Sequence, residues 1–563
     1  MKIKLIGINA RYSHSCLALF YLRNELELNL SGVDAEICQY TINDPYYILL
    51  QRIAAGRPDY LFFSALIWNS DLIERLIEDL LTLSERVRIL VGGPQAPVVC
   101  APFGADPRVS CYVGEIEAAP EGFYRDLEGF SLQPLYRGSF LQMREQHLAY
   151  PYRHEDFSRH LANRAVYYES SRGCPFFCTY CLSSAETGLY HKDLDAVFSD
   201  LDELLGHRPK TVRFVDRTFN DVPKRALAIW EYIREKDAGT LFHFEIAPDR
   251  FSEEMFDFLE SVRPGLFQFE IGIQTTNPET LEAIRRPMDP AQAGPVIRRL
   301  RRMETIHLHA DLILGLPYET ADSFRRSIND IFTMQPHYVQ MGLLKLLPAT
   351  RMTAQAAEFG FRAQSRPPYA LLSNRWMDAA VLAKFFWLGE CLEQFVNNRY
   401  FPSLWHYLVG EGADMAGFFS HLAVRFSDQG YFFKAATQET LCRLLIEQTT
   451  GRQDFAIIRE LLCFDWLRCG HRYLPDFLSY RAESLEELRR DAYHRLPREI
   501  DGLYTIQERR NFIKSSVFQI FSQNCLHSAG FWAARECALA CFCSAREDSV
   551  LRLAKTAILQ ITD

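Results

Sequence analysis

Short apolar runs alternate with amphipathic stretches over residues 1–130 of the chain. This alternation is typical of a parallel sheet with helices on both faces. Five strands are predicted, with the sequences KIKLIGI, AEICQY, YLFFSALI, VRILVGG and VSCYV. Helices are predicted to begin near Ser13, Asn43, Asn69 and Gln95, with a further helix after Glu115. The first 130 residues are therefore predicted to form a doubly wound α/β domain of the flavodoxin-like type.

Four loops follow strands of this predicted sheet. In open sheets of this kind, ligands bind at the carboxyl ends of the strands. The loops in question are Asn9 to His14, Ser64 to Asn69, Gly92 to Pro94 and Gly114 to Glu117. These loops are the first candidates for a ligand site.

A second alternating region covers residues 161–350, after a segment at residues 131–160 that is predicted to be a linker. Its six predicted strands have the sequences AVYYES, TVRFVD, LFHFEIA, LFQFEIGIQ, HLHADLILG and HYVQMGLL. Six strand–helix repeats predict a (β/α)6 partial barrel. Such barrels carry their chemistry on the loops that follow the strands.

The alternation stops after residue 350. Long helical patterns replace it, for example RWMDAAVLAKFFWLGECLEQFVNN, whose apolar residues fall near one face. Residues 351–563 are therefore predicted to form a mostly α third domain.

Composition excludes several classes of protein. Of the 563 residues, 48% are hydrophobic, but no apolar run approaches the roughly 20 residues needed to span a bilayer. A formal charge of -9 argues against broad nucleic-acid binding. The start MKIKLIGINARYSH has no cleavage pattern and is interpreted as a strand, so a cytoplasmic location is expected. There the fifteen cysteines would be reduced, as thiolate ligands or as buried apolar residues.

Three of these cysteines stand together in the segment SSRGCPFFCTYC. The spacing of Cys174, Cys178 and Cys181 lets one loop bring three sulfurs to three corners of a 4Fe–4S cluster, which leaves one iron without a protein ligand. S-adenosylmethionine (SAM) can chelate that iron, and Tyr180 is placed to line its adenine. A zinc site is the alternative, but structural zinc normally takes four ligands and no fourth partner lies nearby.

The segment CPFFCTYC resembles the CxxxCxΦC signature of the radical SAM superfamily. FEIGIQTTNPETLEAIRR and DLILGLPYET also resemble its fourth and fifth strand segments. The resemblance implies that Glu270, Gln274 and Asp311 lie near cofactor or substrate, and that Arg285 or Arg286 could pair with a carboxylate. The alternative is that the Glu270 and Gln274 side chains only satisfy neighbouring polar groups inside the barrel and that the arginine is solvated.

The N-terminal unit, with Gly92-Gly93-Pro94 and the GEIE segment, resembles the cobalamin-binding domain fused to many radical SAM enzymes. Taken alone, such glycines could serve only tight turns. The residues that the resemblance places at cobalamin are Asn9, Ser64, Gly92, Gly93, Gly114 and Glu115.

Cobalamin domains of the methionine synthase type carry DxHxxG, whose histidine ligates cobalt. Here His14 has Tyr12 in place of the aspartate and Leu17 in place of the glycine. A ligating histidine normally needs its orienting partner, so a cobalt without a protein ligand below is favoured. His14 is predicted instead at the N-terminus of a helix.

Over nearly its full length the chain resembles the B12-binding radical SAM family that carries a DUF4080 domain. The resemblance rests on NARYSHSCLALFYL, FVDRTFN, LLKLLPAT and the helical tail. FVDRTFN places Asp216, Arg217 and Asn220 after the second barrel strand, as candidates for catalysis. Helix capping is the equally weighted alternative.

Three tail cysteines, Cys537, Cys541 and Cys543, raise the hypothesis of a second cluster. On the predicted helix Cys543 points away from the other two, so apolar packing is favoured. Cys463, Cys469 or Cys525 could still be brought close by folding. The tail is expected to close the barrel mouth or shape a substrate pocket.

The resemblance implies radical chemistry on an unactivated carbon. A 5′-deoxyadenosyl radical would abstract hydrogen and methylcobalamin would supply a methyl group. Rearrangement or cyclisation without methyl transfer is the enzymatic alternative, and a corrin or iron–sulfur sensor or assembly partner the non-enzymatic one. The expected partners are a small-molecule or peptide substrate and an electron donor such as flavodoxin or ferredoxin, with no nucleic acid and no membrane.

Overall fold

The computed structural model describes residues 1–139, 148–184, 188–236, 239–479, 487, 490 and 513–560. The strands are β1 Lys2–Asn9, β2 Asp34–Thr41, β3 Tyr60–Ser64, β4 Arg88–Gly92, β5 Val109–Gly114, β6 Leu135–Gly138, β7 Val166–Tyr168, β8 Ser171–Cys174, β9 Gly188–His191, β10 Thr211–Phe214, β11 Leu241–Glu245, β12 Phe267–Gln274, β13 His307–Leu314, β14 Tyr338–Leu343, β15 Arg362–Ala363, β16 Leu371–Ser373, β17 Val517–Ser522, β18 Cys537–Arg546 and β19 Ala554–Gln560.

The helices are α1 Leu17–Asn29, α2 Tyr46–Ala54, α3 Ser70–Leu83, α4 Ala96–Cys100, α5 Glu121–Glu128, α6 His154–Arg159, α7 Leu194–Gly206, α8 Pro223–Glu235, α9 Glu253–Glu260, α10 Pro278–Ala283, α11 Pro290–Arg302, α12 Ala321–Met334, α13 Arg351–Ala354, α14 Ala379–Phe395, α15 Pro402–Gly410, α16 Met415–Asp428, α17 Gln438–Thr449, α18 Phe455–Arg468 and α19 Gln523–Ser528.

The N-terminal domain contains one parallel six-stranded sheet in the order β2-β1-β3-β4-β5-β6. The five predicted strands are present. The sixth, β6, pairs with β5 inside the segment 131–160 that was predicted to be a linker. Helix α1 begins at Leu17, so His14 lies in the loop before it and its prediction as a helical residue is wrong. Cys16 packs on Gly7 of β1, where an added Cβ would lie 2.9 Å from the Cys16 Cβ.

The second sheet has the order β14-β13-β12-β11-β10-β7, and all of its strands are parallel. This is the predicted open (β/α)6 barrel. Side chains along β12 and β13 alternate between buried and half-buried. The apolar set packs outward under the helices, with Phe244, Phe267, Phe269 and Trp230 in mutual ring contact. The polar set faces the barrel interior.

The third domain begins with α14, which packs against β14 and so joins it to the barrel. Helices α14 to α18 follow as predicted, but the chain then forms an antiparallel sheet in the order β17-β18-β19. The described part of the third domain is therefore mostly α, as predicted, with a three-stranded antiparallel sheet added near its end. Residues 480–486, within the predicted helical tail, lie outside the described residues.

The tail cysteines lie on β18 and not on a helix. Because side chains alternate along a strand, Cys537, Cys541 and Cys543 project to one face, which corrects the helical geometry inferred above. Cys541 and Cys543 are buried among Phe518, Leu539 and Leu559. Their environment is apolar packing.

The described part of the chain contains no helix that is both long enough and apolar enough to cross a membrane.

Candidate active site

The cysteine loop follows the first barrel strand, β7, and is held by a short hairpin. Strands β8 and β9 pair antiparallel, with Gly173 opposite Leu189 and Cys174 opposite Gly188. Gly173 has φ +99°, and an added Cβ there would lie 2.2 Å from the Gly188 carbonyl oxygen. Only glycine fits this approach, and it directs the chain into the cysteine loop.

Two of the sulfurs have polar neighbours from other loops of the barrel, and Ser184 binds the backbone of the cysteine loop itself. The Cys174 Sγ lies 3.7 Å from the Thr218 hydroxyl, and Arg286 Nη1 donates to the buried Cys178 Sγ at 3.8 Å. The Ser184 hydroxyl donates to the carbonyl oxygens of Cys178 and Cys181 at 2.9 and 2.7 Å. These contacts fix the loop backbone and place a cation beside one sulfur.

No group of three His, Cys, Asp or Glu side chains within the described ranges is arranged to hold a single metal ion. A cubane cluster does not require such an arrangement, because each cysteine binds a different iron and the sulfurs stand further apart. The donor set of Cys174, Cys178 and Cys181 on one fixed loop fits such a cluster. Burial raises the pKa of the Cys174 thiol, and the neighbouring Cys181 and Cys178 raise it further. A bound metal would be needed to stabilise that thiolate.

Asp216, the first residue of the predicted catalytic triplet, is 1% exposed and fixes the approach to the cysteine loop. Its carboxylate accepts from the Ser170 amide at 3.0 Å, the Ser170 hydroxyl at 2.6 Å and the Ser171 hydroxyl at 2.7 Å. Burial raises its pKa to about 6. Asp216 therefore positions the chain that leads to Cys174.

Asn220 and Arg217 have different roles. Asn220 is fully buried, and its side chain accepts from the Ala247 amide and donates to the Ala247 carbonyl, both at 2.8 Å. It ties the β10 loop to the β11 loop. Arg217 is half-exposed, 3.6 Å from Glu245. The next helix, α8, has Val222 at its N-cap, so neither Asp216 nor Asn220 is its cap.

Three acids lie together at the carboxyl half of the barrel interior: Glu245 on β11, Glu270 on β12 and Asp311 on β13. Burial raises the pKa of Glu245 to about 7 and raises that of Asp311 well above its ordinary value, with Glu270 adding to the shift of Asp311. The Glu270 pKa is lowered by its hydrogen bond with His243, at 3.1 Å. The buried Asp311 Oδ1 has no hydrogen-bond partner within the described chain. The interior thus presents acceptors for a ligand that brings donors.

Histidines extend this polar interior toward the amino ends of the strands. His309 Nε2 lies 2.6 Å from the Gln268 amide and 2.9 Å from His307 Nδ1, and His307 stacks on His337. Burial lowers the pKa of His309 and of His337 to about 4 in each case. These rings are therefore neutral near pH 7.

Three residues predicted near SAM differ in their placement. Tyr180 is half-buried beside Cys178 and Arg286, and burial raises its pKa. Gln274, with φ +69°, ends β12 at a bulge between Gly272 and Gln274. Arg285 is exposed, whereas Arg286 contacts the Cys178 sulfur and the Gly272 carbonyl. The structure thus places Arg286 on a cysteine sulfur, whereas Arg285 lines a groove with Pro175, Phe176 and Phe177 of the same loop.

The N-terminal domain joins the cysteine loop through Arg172. This side chain is 13% exposed, and it donates to Glu115 at 2.7 Å, to Glu117 at 3.0 Å and to Glu169 at 2.7 Å. Glu115 and Glu117 form the GEIE segment after β5, and Arg172 stands two residues before Cys174. The carboxyl edge of the N-terminal sheet therefore abuts the cysteine loop.

At that edge the β4 loop forms a floor without side chains. An added Cβ at Gly92 would meet nothing within 4 Å, whereas one at Gly93, with φ +95°, would lie 2.6 Å from the Ala65 carbonyl oxygen. The loop after β3 borders this floor, because the Ala65 amide donates to the Gly92 carbonyl at 2.8 Å. Trp68 of that loop is 45% exposed and donates from Nε1 to the Ile8 carbonyl. An open floor flanked by an exposed ring fits a large flat cofactor.

Other residues predicted at this edge have partners within the protein. Asn9 is buried and donates to Gln39 at 3.3 Å. Gly114, with φ +95°, lies so close to Gly138 of β6 that an added Cβ would be 1.9 Å from its carbonyl oxygen. Ser64 is half-buried and hydrogen bonds with Cys16. The structure leaves Gly92 as the open position of this edge, with Gly93 packed beneath it on Ala65.

His14 lies between the N-terminal domain and the barrel. Its Nδ1 is 2.5 Å from the Tyr167 hydroxyl of β7, and the two rings stack. Arg164 donates to the His14 carbonyl at 2.8 Å. Burial lowers the pKa of the His14 imidazole, and Arg213 and Arg11 lower it further. The ring is part of the joint between the domains.

Several site residues were missed from the sequence. Arg172 has partners far away along the chain, and nothing in the local sequence indicates it. The interior set could have been found, because alternate positions of the predicted barrel strands are polar; it comprises Arg213, His243, Glu245, Gln268 and His309.

Residues 168–331 match the model of the radical SAM superfamily, which places the fold and the cysteine loop in that class of protein. Residues 357–531 match the model described as a protein of unknown function (DUF4080). The chain thus contains a radical SAM domain followed by a DUF4080 domain.

Two curated relatives are methyltransferases. The 2-(S-pantetheinyl)-carbapenam-3-carboxylate methyltransferase of Streptantibioticus cattleyicolor is 25% identical over 341 residues, which covers 53% of this chain and 49% of the relative. The cobalamin-dependent radical SAM methyltransferase TokK of Streptomyces tokunonensis is 27% identical over 192 residues, covering 32% of this chain and 28% of the relative. The chain spans about half or less of the length of these relatives.

A solved structure of the cobalamin-dependent S-adenosylmethionine radical enzyme OxsB, with aqua-cobalamin and S-adenosylmethionine bound, superposes with a TM-score of 0.57. It is 13% identical, and the match covers 91% of this chain and 83% of that one. This similarity establishes the shared fold.

Proposed function

We propose that this protein is a cobalamin-dependent radical SAM enzyme that methylates an unactivated carbon. The observation that carries the proposal is the ion-pair cluster of Arg172 with Glu115 and Glu117. It holds the open edge of a doubly wound domain directly against a three-cysteine loop at the mouth of a barrel. Two cofactor sites then face one interior.

The 4Fe–4S cluster would be held by Cys174, Cys178 and Cys181. When bound, the cluster with SAM supplies a 5′-deoxyadenosyl radical, and cobalamin supplies the methyl group. The protein contributes the loop geometry through Gly173 and Asp216. Arg286, buried against Cys178, adds a positive charge that offsets thiolate charge.

SAM would extend from the loop into the barrel. Tyr180 lies beside Cys178 and is proposed to line the adenine. Asp311 and Glu270 are proposed to accept from the hydroxyl or ammonium groups of SAM, because Asp311 Oδ1 lacks a donor within the described chain. Gln274, at the bulge, is proposed to contribute from β12. Arg286, in place of Arg285, is proposed as the residue that pairs with a carboxylate group of the ligand.

Cobalamin would lie on the floor formed by Gly92 and Gly93, with Ser64 and Trp68 at its border. Adjacent strand ends in a sheet are only about 5 Å apart, so a corrin on β4 would also reach the Glu115 loop after β5. The His14 ring is engaged with Tyr167. We therefore propose a cobalt without His14 as a ligand below it, and assign Asn9 and Gly114 to the support of the floor.

The reaction also needs a reductant. A flavodoxin or ferredoxin is proposed as its source, and a cytoplasmic location suits a reduced thiolate site. The substrate would be a small molecule or peptide that enters the barrel interior.

The test is anaerobic reconstitution of the full chain with iron and sulfide, followed by cobalamin. The expected result is a cluster absorbance that is absent from the Cys174→Ala/Cys178→Ala/Cys181→Ala variant, together with corrin that co-elutes with the protein. With dithionite and SAM, the wild type should release 5′-deoxyadenosine and the triple variant none. Failure to cleave SAM despite a full cluster would contradict the enzymatic proposal and favour the sensor or assembly role.

Methyl transfer is tested separately with SAM that carries a deuterated methyl group and with a metabolite extract of the source organism. A methyltransferase should leave the label in one product and form S-adenosylhomocysteine in equal amount. An unlabelled product formed together with 5′-deoxyadenosine would instead support rearrangement or cyclisation.

A further inference from the structure

A second cavity of about 440 Å³ lies at the opposite end of the barrel from the cysteine loop. Its barrel wall comes from residues just before β13 and β14, at the amino ends of these strands, namely Arg301, Glu304 and His337. Its other wall comes from the third domain. The volume falls within the range of small-molecule sites.

The third-domain wall is partly apolar. Trp405 and Val409 of α15, Phe531 after α19, and Leu553 just before β19 face the cavity, and Phe332 of α12 adds to them from the barrel. A ligand with an apolar body would exchange water for these surfaces.

Several polar groups in the same cavity carry N–H donors without an acceptor among the described residues. His337 is 95% buried, and its Nδ1 accepts from the Leu308 amide at 3.1 Å. Because burial lowers its pKa to about 4, the ring is neutral and carries its proton on Nε2. That Nε2 has no hydrogen-bond partner within the described residues, since the Glu304 carboxylate is 4.0 Å away.

Two arginines that line the cavity also have donor groups available to a ligand. The buried Arg468 Nε lacks a hydrogen-bond partner within the described ranges, although Nη2 of the same side chain donates to Glu547 at 2.8 Å. Arg399 also lines the cavity, and its half-buried guanidinium has no carboxylate within salt-bridge distance in the part of the chain that is described. Arg301 and Arg468 are neutralised by Glu304 and Glu547.

The charge balance of the cavity is therefore one unneutralised cation, Arg399, beside unpartnered N–H groups of His337 and Arg468. We propose that this cavity binds a small amphipathic anion, a carboxylate or phosphate on an apolar body, with its oxygens on Arg399 and His337. It is a site separate from the cysteine loop, and it assigns a ligand-binding role to the contact between the third domain and the barrel.

The experiment is titration calorimetry of the full chain with three probes: 4-phenylbutyrate, phenyl phosphate and the neutral 4-phenylbutanamide. One or both anions should bind saturably with one site per chain, and the amide about tenfold or more weakly, because a charge-assisted hydrogen bond is lost. Preference for one anion identifies the head group as carboxylate or phosphate.

Arg399→Gln should weaken anion binding by about tenfold or more, and Val409→Trp, which fills the cavity from α15, should abolish it. Arg443→Gln, an exposed arginine of α17, is the matched control and should bind as the wild type does. Circular dichroism establishes that each variant is folded, and the two cavity variants probe the site from different walls. Equal binding of amide and anion, no binding of either anion, or anion binding unchanged in both cavity variants would overturn the proposal.

Discussion

Arg172 donates from Nη1 to the Glu115 carboxylate at 2.7 Å, across the boundary between the barrel and the N-terminal domain. Glu117 and Glu169 bind the same guanidinium. If the Arg172 cation is removed, these three carboxylates are left close together without a positive charge between them. Arg172 is therefore the ion-pair link between the two proposed cofactor sites, in addition to the contacts of His14 with Tyr167 and Arg164 that also join the domains.

Arg172→Met should destabilise the protein by about 3 kcal/mol, because loss of one partner from a mostly buried ion pair leaves uncompensated charges. The stability of Arg172→Lys should lie between that of the wild type and that of Arg172→Met, since lysine keeps the charge but lacks the planar fork that reaches several carboxylates. The measurement is the denaturant midpoint of unfolding, with corrin retention as a second readout. Arg443→Met removes an exposed i,i+4 pair with Glu439 and should cost less than about 1 kcal/mol. Equal effects of Arg172→Met and Arg443→Met would contradict this role of Arg172.

Gly92→Ala and Gly93→Ala should separate folding from cofactor binding. At Gly93, φ +95° and the 2.6 Å approach of the Ala65 oxygen make alanine destabilising by about 1–3 kcal/mol. At Gly92 the added methyl meets nothing within 4 Å, so the protein should fold normally but retain less corrin, because the methyl rises from the proposed floor. Thermal unfolding and the corrin-to-protein ratio measure the two effects. Full corrin retention in a folded Gly92→Ala protein would argue against the floor.

Asp216→Ala should lower the iron content of the reconstituted protein. Its removal leaves the Ser170 amide and the Ser170 and Ser171 hydroxyls without their acceptor in a buried site, at a cost of at least about 2 kcal/mol. The chain leading to Cys174 would then lose its fixed geometry. Iron and sulfide per chain are the measurement, and Asp216→Asn, which keeps one acceptor oxygen, should lose less. Asp257→Ala, an exposed aspartate of α9, should reconstitute fully; a normal iron content in Asp216→Ala would remove the positioning role.

The alternation of short apolar runs and amphipathic stretches was sufficient to predict both parallel sheets. Strands such as β1 and β3 are buried along their whole length, whereas β12 and β13 alternate, and both patterns are short and bounded by helical stretches. Strand β6 was missed, since Leu135–Gly138 is only four residues long. Strand β18 was mistaken for a helix, because ECALACFCSA is rich in alanine and both faces are buried, so that the period of two is hidden.

The cysteine loop was predictable because its three sulfurs lie within eight residues of sequence. The joint was not predictable, because Arg172 is separated from Glu115 by 57 positions and from Glu117 by 55. The GEIE motif predicts Glu115 at cobalamin, while in the fold its carboxylate accepts from Arg172. Motif position alone does not show which way a side chain points.

Asp465→Asn should change how stability depends on pH. Asp465 is fully buried in α18 and accepts from the Ser403 amide at 3.0 Å and the Leu404 amide at 3.1 Å, at the start of α15. Burial raises its pKa from 3.8 to about 6. The folded state therefore holds the proton more tightly than the unfolded chain, so this stabilisation is complete below pH 3.8 and is lost as pH rises through 6.

Relative to Asp465→Asn, the wild type should thus lose up to about 3 kcal/mol of unfolding free energy between pH 4 and pH 7. The amide also disturbs the hydrogen bonds to Ser403 and Leu404, but that cost is independent of pH and only offsets the two curves. Urea unfolding, followed by tryptophan fluorescence at several pH values, gives the comparison. Asp428→Asn, an exposed aspartate at the end of α16, should run parallel to the wild type. If the Asp465→Asn curve is also parallel, the buried carboxyl does not change its proton affinity on folding, and its role reduces to the two amide contacts that join α18 to α15.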